Sequence, residues 1–264
     1  MEVLEKGHYS GNIIYSVHSG SMIATLTSYR SDNYNGYLHY HDNTHFSFAL
    51  DGGCVEKKHN AYEITPGTIT YYSAGEHHQV LKVAKPTRRI NLELEPTFFD
   101  EFNIPEPIFR SVAQKDPDAR LLMVKIYKEM LTGDEFSAAS ITSLVLQLIR
   151  DAGNRRHEST WPAWVRTTDD YLHDNLAEPI SLQQIAMAAH IHPVSISRHF
   201  PKYFGCTLGE YMRKIRVEKA LSMMRSSGYS LTEISCQCGF FDQSHFIRTF
   251  RQLTGFLPRF YQKS

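Results

Sequence analysis

Two stretches of this 264-residue chain, set about fifty residues apart, carry the same local instructions. In the first, Ser181 with Gln184 three residues on forms a capping box. Leu182, Ile185, Ala186 and Ala189 then fall on one face of a helix. After a break at His190–His192, Pro193 takes the first-turn position, where a missing N–H costs nothing. Ile196, Phe200 and Tyr203 give a second apolar stripe that ends at Gly205. The second stretch repeats the scheme. Ser230 with Glu233 is a capping box, Leu231, Ile234 and Cys238 share a face, Gly239 supplies a turn, and Asp242 can cap a helix lined by Phe246, Phe250 and Leu253 up to Gly255. The offset is 49 in the first helix of each pair and 50 in the second, so Arg198 matches Arg248 and Gly205 matches Gly255. Leu208–Arg225 reads as one helix joining the pairs. A duplicated helix-turn-helix on a shared linker helix accounts for all of this, and makes the C-terminal part all-α.

Such a helix can lie in the DNA major groove with its outward side chains on base edges. Off the apolar stripes, the second helix of each pair is polar: Ser195, Ser197, Arg198 and Lys202 in one, Gln243, Ser244, His245, Arg248 and Arg251 in the other. Arg reads guanine and Gln reads adenine, each bidentate pair supplying ~1–3 kcal/mol of discrimination. Two units on a rigid linker reach successive grooves about one turn, ~34 Å, apart. Charge is in keeping with that partner: residues 1–160 hold 16 basic and 20 acidic side chains, residues 161–264 hold 12 and 8.

The run Ser230-Leu-Thr-Glu-Ile-Ser-Cys-Gln-Cys-Gly-Phe-Phe-Asp-Gln-Ser-His-Phe-Ile-Arg-Thr-Phe-Arg-Gln-Leu-Thr-Gly-Phe-Leu-Pro258 closely resembles the signature of AraC/XylS-type transcription regulators. Tyr211-Met-Arg-Lys-Ile-Arg-Val-Glu-Lys-Ala220 resembles that family's linker helix. The resemblance covers about residues 160 to 262. It implies promoter double-stranded DNA as partner, contacted by Val194, Ser197, Arg198, Lys202, Gln243, Ser244, His245, Arg248 and Arg251, and RNA polymerase as a partner if the protein activates. Two positions depart from the family pattern. His190 stands where Gly is usual, and Pro201 stands where Lys is usual, inside the first recognition helix, which it should bend or end. Cys236 and Cys238 are not expected to be a metal pair, because Cys238 belongs to the helix face.

Residues 12–95 are of another kind, rich in Tyr, Thr, Ile and Val in short runs broken by turn signals. Phe46–Leu50, Ile69–Tyr72 and Arg89–Leu94 alternate at period two, and Asp51-Gly-Gly53 and Pro66-Gly67 mark turns. Ahead of an AraC-type reader, such a domain resembles a cupin barrel. His39, His41, His45 and Gly52 fit the first cupin motif, with His in place of Glu; Gly67, Ser73, Gly75 and His78 fit the second, with Ser in place of Pro. Alternate strand residues share a face, so His39 and His41 point the same way. If they point inward, His39, His41, His45 and His78 can surround one divalent metal ion; if no metal binds, they line an effector pocket with Tyr37 and Tyr72. His77 is the alternative to His78, since strand neighbours face opposite ways.

Asp118–Leu131 and Glu135–Ala152 read as two helices parted by Thr132-Gly133-Asp134. Their stripes are Leu121, Leu122, Ile126 and Met130 on one, and Ile141, Leu144, Val145 and Leu148 on the other. The pair resembles the family's dimerisation element and makes a homodimer the expected state, with packing inside the domain as the other reading. The expectation is an α+β, two-domain chain. Residues 1–152 form a cupin-like effector-binding and dimerisation domain, with its barrel at about 10–95 and helices at about 117–152; 153–160 is a linker; 161–264 is an AraC-type DNA-binding domain. No apolar run approaches the ~18 residues that span a bilayer, the N-terminus has no signal-peptide h-region, and four cysteines make no disulfide framework. A cytoplasmic, non-enzymatic regulator controlled by a small-molecule effector is expected. The alternative is a metal-dependent cupin enzyme fused to a DNA-binding module.

Overall fold

The computed structural model describes residues 2–30, 36–110, 117–154, 161–226 and 228–263. The chain divides into two compact units, Met1–Gly153 and Asn154–Ser264. Residues 155–160, most of the expected linker, lie outside the described residues.

The first unit begins with β1 (Glu2–Leu4), β2 (Asn12–Ser19), β3 (Met22–Tyr29), β4 (His39–His41) and β5 (Thr44–Ala49). It continues with β6 (Gly53–Lys57), β7 (Ala61–Ile64), β8 (Ile69–Tyr72), β9 (Gln79–Lys85) and β10 (Thr87–Leu94). Helices α1 (Pro96–Glu101), α2 (Glu106–Arg110), α3 (Pro117–Thr132) and α4 (Ser137–Asn154) complete it. An antiparallel sheet runs in the order β2-β3-β10-β5-β8, a second runs β7-β6-β9, and β1 pairs in parallel with β4. Among the described residues these ladders do not join into one closed cylinder, so the expected barrel is open.

Register gives the larger sheet two unlike faces. Phe46 lies opposite Leu92 and Phe48 opposite Ile90, while Ile90 and Leu92 lie opposite Leu26 and Ala24 on the other flank, all of them buried. One residue along, Ser47 lies opposite Asn91 and His45 opposite both Glu93 and Tyr72, and Arg89 and Asn91 lie opposite Thr27 and Thr25. Period two thus sorts the apolar residues onto one face and the polar ones onto the other, and both faces are buried. Hydrogen bonds from Arg88 to Tyr127 (3.4 Å) and between Ser19 and Thr142 (2.9 Å) tie α3 and α4 to this sheet. The stripe residues Leu121, Leu122, Ile126, Met130, Ile141, Val145 and Leu148 are all buried within the single chain. Leu144, the remaining residue of the second stripe, is half-buried.

The second unit is all-helical: α5 (Ala163–Asp174), α6 (Leu182–Ala189), α7 (Pro193–Phe204), α8 (Leu208–Ser226), α9 (Leu231–Gln237), α10 (Gln243–Thr254) and α11 (Pro258–Lys263). Both capping boxes form, with Ser181 accepting from the Gln184 amide and Ser230 from the Glu233 amide. Asp242 caps α10 through the His245 amide at 2.6 Å. His192 caps α7 more loosely, its Nδ1 accepting from the Val194 amide at 3.3 Å. Helix α8 packs against α7, α9 and α10 and so supports both pairs. Helix α5, which no sequence pattern marked, packs on α6 and contributes Val165 and Leu172 to the first core beside Ile185, Ile196 and Phe200.

The two departures from the family pattern resolve differently. His190 takes the left-handed conformation, φ +54°, that the usual glycine would supply. Pro201 does not end α7, which runs three residues past it to Phe204. The amide that Pro201 lacks would have bonded the carbonyl of Ser197, and that residue is exposed, so water can serve the orphaned oxygen. Gly239 is required twice over: its φ is +71°, and a Cβ there would meet the Leu176 carbonyl oxygen at 2.6 Å.

Candidate nucleic-acid interface and histidine cavity

In α7, Ile196, Phe200 and Phe204 are buried; in α10, Phe246, Thr249 and Phe250 are. Each helix is held by one face, leaving Val194, Ser197, Arg198 and Lys202 exposed on α7 and Gln243, Ser244, Arg248 and Arg251 exposed on α10. His245 is half-buried, its ring edge-on to Phe240 with centroids 5.5 Å apart. The Gln243 carboxamide oxygen accepts from Thr232 at 3.3 Å, which orients the amide beside the helix start. Lys202 holds its ammonium 5.5 Å from the Tyr203 ring. Three exposed apolar side chains were not singled out from the sequence: Met187 on α6, Leu257 ahead of α11, and Phe241 at the α9–α10 turn, 92% exposed. A large exposed apolar residue just ahead of a helix-capping Asp was the signal for Phe241, and periodicity alone does not register it.

In the first unit, β4 turns His39 and His41 inward with Tyr40 half-buried between them. His78 pairs with His39 across an isolated bridge, its amide donating to the His39 carbonyl at 2.9 Å. This settles the register: His78 is buried, while His77 is exposed and its ring lies 5.1 Å from Tyr40. His39, His41 and His78 each bring one ring nitrogen within 4.8 Å of the other two. His45 stands beside this trio, its ring centroid 4.3 Å from His41, and stacks on Tyr72 with centroids 4.4 Å apart. The Tyr37 side chain is exposed and does not line the cavity, its ring meeting that of His39 with centroids 5.4 Å apart. Tyr9 and Tyr29 line the cavity instead.

Burial decides the protonation of these rings. It pushes His41 down to about 3 and His78 down to about 4, and lowers His39 and His45, with neighbouring imidazoles adding to the effect on His41 and His45. All four are therefore neutral, as metal ligands must be. Two have the carbonyl partner that commonly orients a ligating imidazole: His39 Nδ1 lies 2.8 Å from the Tyr37 carbonyl, and His78 Nδ1 lies 3.1 Å from that of Glu76. Behind the cluster sits Glu56, fully buried, accepting from Tyr72, from Tyr62 at 3.2 Å and from Arg89 at 2.9 Å. Burial alone would raise its carboxyl, but the Arg89 guanidinium, with His78 and Tyr72, holds it below the usual carboxylate range. The cavity these groups enclose has room for about one water-sized sphere.

A family described as "Helix-turn-helix domain" matches residues 185–264. The HTH-type transcriptional activator RhaR of Cronobacter sakazakii is 27% identical over 222 residues, 76% of this chain and 77% of that protein. The C-terminal part of this chain is an AraC-type helix-turn-helix domain. The HTH-type transcriptional regulator GbdR of Pseudomonas aeruginosa is 32% identical over 85 residues, 32% of this chain but only 23% of the relative. A crystal structure of an AraC-type regulator from Chromobacterium violaceum superposes on 38% of this chain and 89% of its own at 24% identity, with a TM-score of 0.37. The segment matched by the helix-turn-helix family runs from within α6 to residue 264 and so contains both candidate reading helices.

Proposed function

We propose that this regulator reads a bipartite promoter sequence with α7 and α10 and is controlled by a small effector at the histidine cavity. The observation that carries the reading is the one-sided burial of both helices. Each is pinned by aromatic residues and presents Arg198 or Arg248 at matching positions of the repeat. Val194, Ser197, Arg198, Gln243, Ser244, His245 and Arg248 are the residues assigned to bases, with Lys202 and Arg251 placed to meet phosphates. Selection from a random duplex pool tests this. An enriched site with two half-sites about one helical turn apart is expected, and recovery of no sequence above the non-specific background overturns it.

The effector site is assigned to the cavity because its walls are polar and buried. Neutral imidazoles suit zinc, copper, iron or nickel, and His39, His41 and His78 would hold such an ion with His45 alongside. A bound divalent ion would supply fixed positive charge and a rigid cross-link between β4 and the segment around His78. Binding rather than catalysis is the role proposed, because Glu56, the carboxylate behind the cluster, is engaged by three donors and not free to carry a proton. Metal analysis of untagged protein purified without added metal should give near one equivalent, lost on His41→Ala. Metal-free protein that still binds its promoter would leave the cavity to a metal-independent effector. The homodimer, the contact with RNA polymerase if the protein activates, and cytoplasmic residence belong to the same proposal; sedimentation at micromolar concentration tests the first.

A further inference from the structure

The sheets of the first unit have strand edges that are protected unequally. An open edge offers unpaired N–H and C=O groups to any extended chain, and proteins guard such edges with charge, proline or short length. β1 is three residues long and starts with Glu2. β7 carries the exposed Glu63, and β9 carries the exposed Lys82 and Lys85. Beside β8, Lys58 donates to the Tyr71 carbonyl and sets its ammonium over the Tyr72 ring. β2 has none of these devices. It is outermost in the five-stranded sheet and pairs only with β3 among the described residues. Its sequence, Asn-Ile-Ile-Tyr-Ser-Val-His-Ser, holds no lysine, arginine, carboxylate or proline. One register shift sets Ile14 out of the ladder, and from Tyr15 to Ser19 the pairing with β3 is regular.

The surface around that edge is apolar. Ile13, Ile14 and Tyr15 are exposed, Ile14 by 52%. A Cβ on Gly133 would lie 3.1 Å from the Tyr15 hydroxyl, so the turn between α3 and α4 stands beside β2. That turn presents Phe136, 66% exposed. Free backbone groups bordered by apolar side chains fit an extended strand that is itself apolar, and a second β2 is one. Antiparallel pairing of a strand with its own copy about a two-fold axis is self-complementary, but it also brings each charge of the strand close to its like. A strand without Lys, Arg, Asp or Glu meets no such repulsion. We infer that two copies of this chain join through β2, paired antiparallel so that the sheet of one protomer continues into that of its partner, with Ile14 and Phe136 covered at the junction. This rests on the homodimer reading above and adds where the copies meet.

Sedimentation of the full chain across the micromolar range reads the dimer Kd and separates the two claims. Ile14→Lys should raise that Kd at least about tenfold, because the two-fold axis places both added charges in one interface. Leu81→Lys, a matching change at an exposed apolar residue of β9, should leave it within about twofold. Both side chains replaced are exposed, so native circular dichroism is expected of each variant. Hydrogen exchange on the unaltered chain gives a second reading: the amides of residues 12–19 should slow as concentration passes through Kd, and those of β9 should not. Equal responses from the two variants, or protection of β2 that does not change with concentration, overturn the inference and leave the homodimer to another surface. A chain that is monomeric throughout the range removes the homodimer reading and the inference together.

Discussion

The two helix-turn-helix halves are built to one plan with parts of unequal quality. In the second, the turn is made by Gly239, and Asp242, a carboxylate able to favour the positive helix end, caps α10 at 2.6 Å. In the first, the turn is made by His190 in a conformation that costs a non-glycine residue, the imidazole of His192 caps α7 at 3.3 Å, and a proline sits inside the helix. Aromatic packing is matched between the halves: Phe200 and Phe250 are both fully buried at equivalent positions of the repeat. The difference teaches that packing positions are kept where local devices are allowed to slacken, leaving α7 the less firmly set of the two readers.

That contrast can be broken or sharpened experimentally. The largest effect is expected from the shared feature: Phe200→Ala and Phe250→Ala should each destabilise the C-terminal unit by about 3–5 kcal/mol in denaturant unfolding. A loss under 1 kcal/mol at either site would show that half to be loosely packed. Next, Arg248→Ala should cost about 1–3 kcal/mol on the selected DNA site and relax preference at one base pair, measured by competition with single-base variants; Arg198→Ala should cost less. Equal costs would erase the inequality between readers, and a loss uniform across sequences would make either arginine a phosphate contact. Asp242→Ala should remove about 1 kcal/mol of stability, and His192→Ala about half that or less, in the same unfolding assay. The smallest effect has the opposite sign. His190→Gly should stabilise by roughly 0.5 kcal/mol, because relief of the left-handed strain slightly exceeds the added freedom of the unfolded chain; destabilisation would mean that the imidazole makes a contact worth more than the strain.

The C-terminal unit was legible because its instructions are local. A capping box spans four residues and an apolar stripe repeats within eight, so Ser181, Gln184, Ser230, Glu233 and Asp242 announce themselves in order along the chain. Helix α5 escaped because its sequence, Ala-Trp-Val-Arg-Thr-Thr-Asp-Asp-Tyr-Leu-His-Asp, mixes β-branched residues with three aspartates and has poor helix propensity; contact with α6 supports it instead. The candidate cavity was half legible. His39, His41 and His78 follow from period two and motif spacing, whereas Ser47, Arg89 and Asn91 come together only through the pairing of β5 with β10, forty residues apart and invisible to any short window. Tyr9 is more remote still, reaching Glu93 across most of the unit. The stripes of α3 and α4 were read correctly as apolar, but periodicity does not say whether a stripe meets its own domain or another copy.

The two-faced sheet has a consequence for how the protein can be altered. Along β5 and β10, residues 45, 47, 89 and 91 face the cavity, while 46, 48, 90 and 92 hold the fold. Chemistry and scaffold are interleaved one residue apart yet face opposite ways, so each can vary without consulting the other. A library randomised at Ser47 and Asn91 with Phe46, Phe48, Ile90 and Leu92 left intact is therefore expected to alter the cavity lining while the sheet still folds.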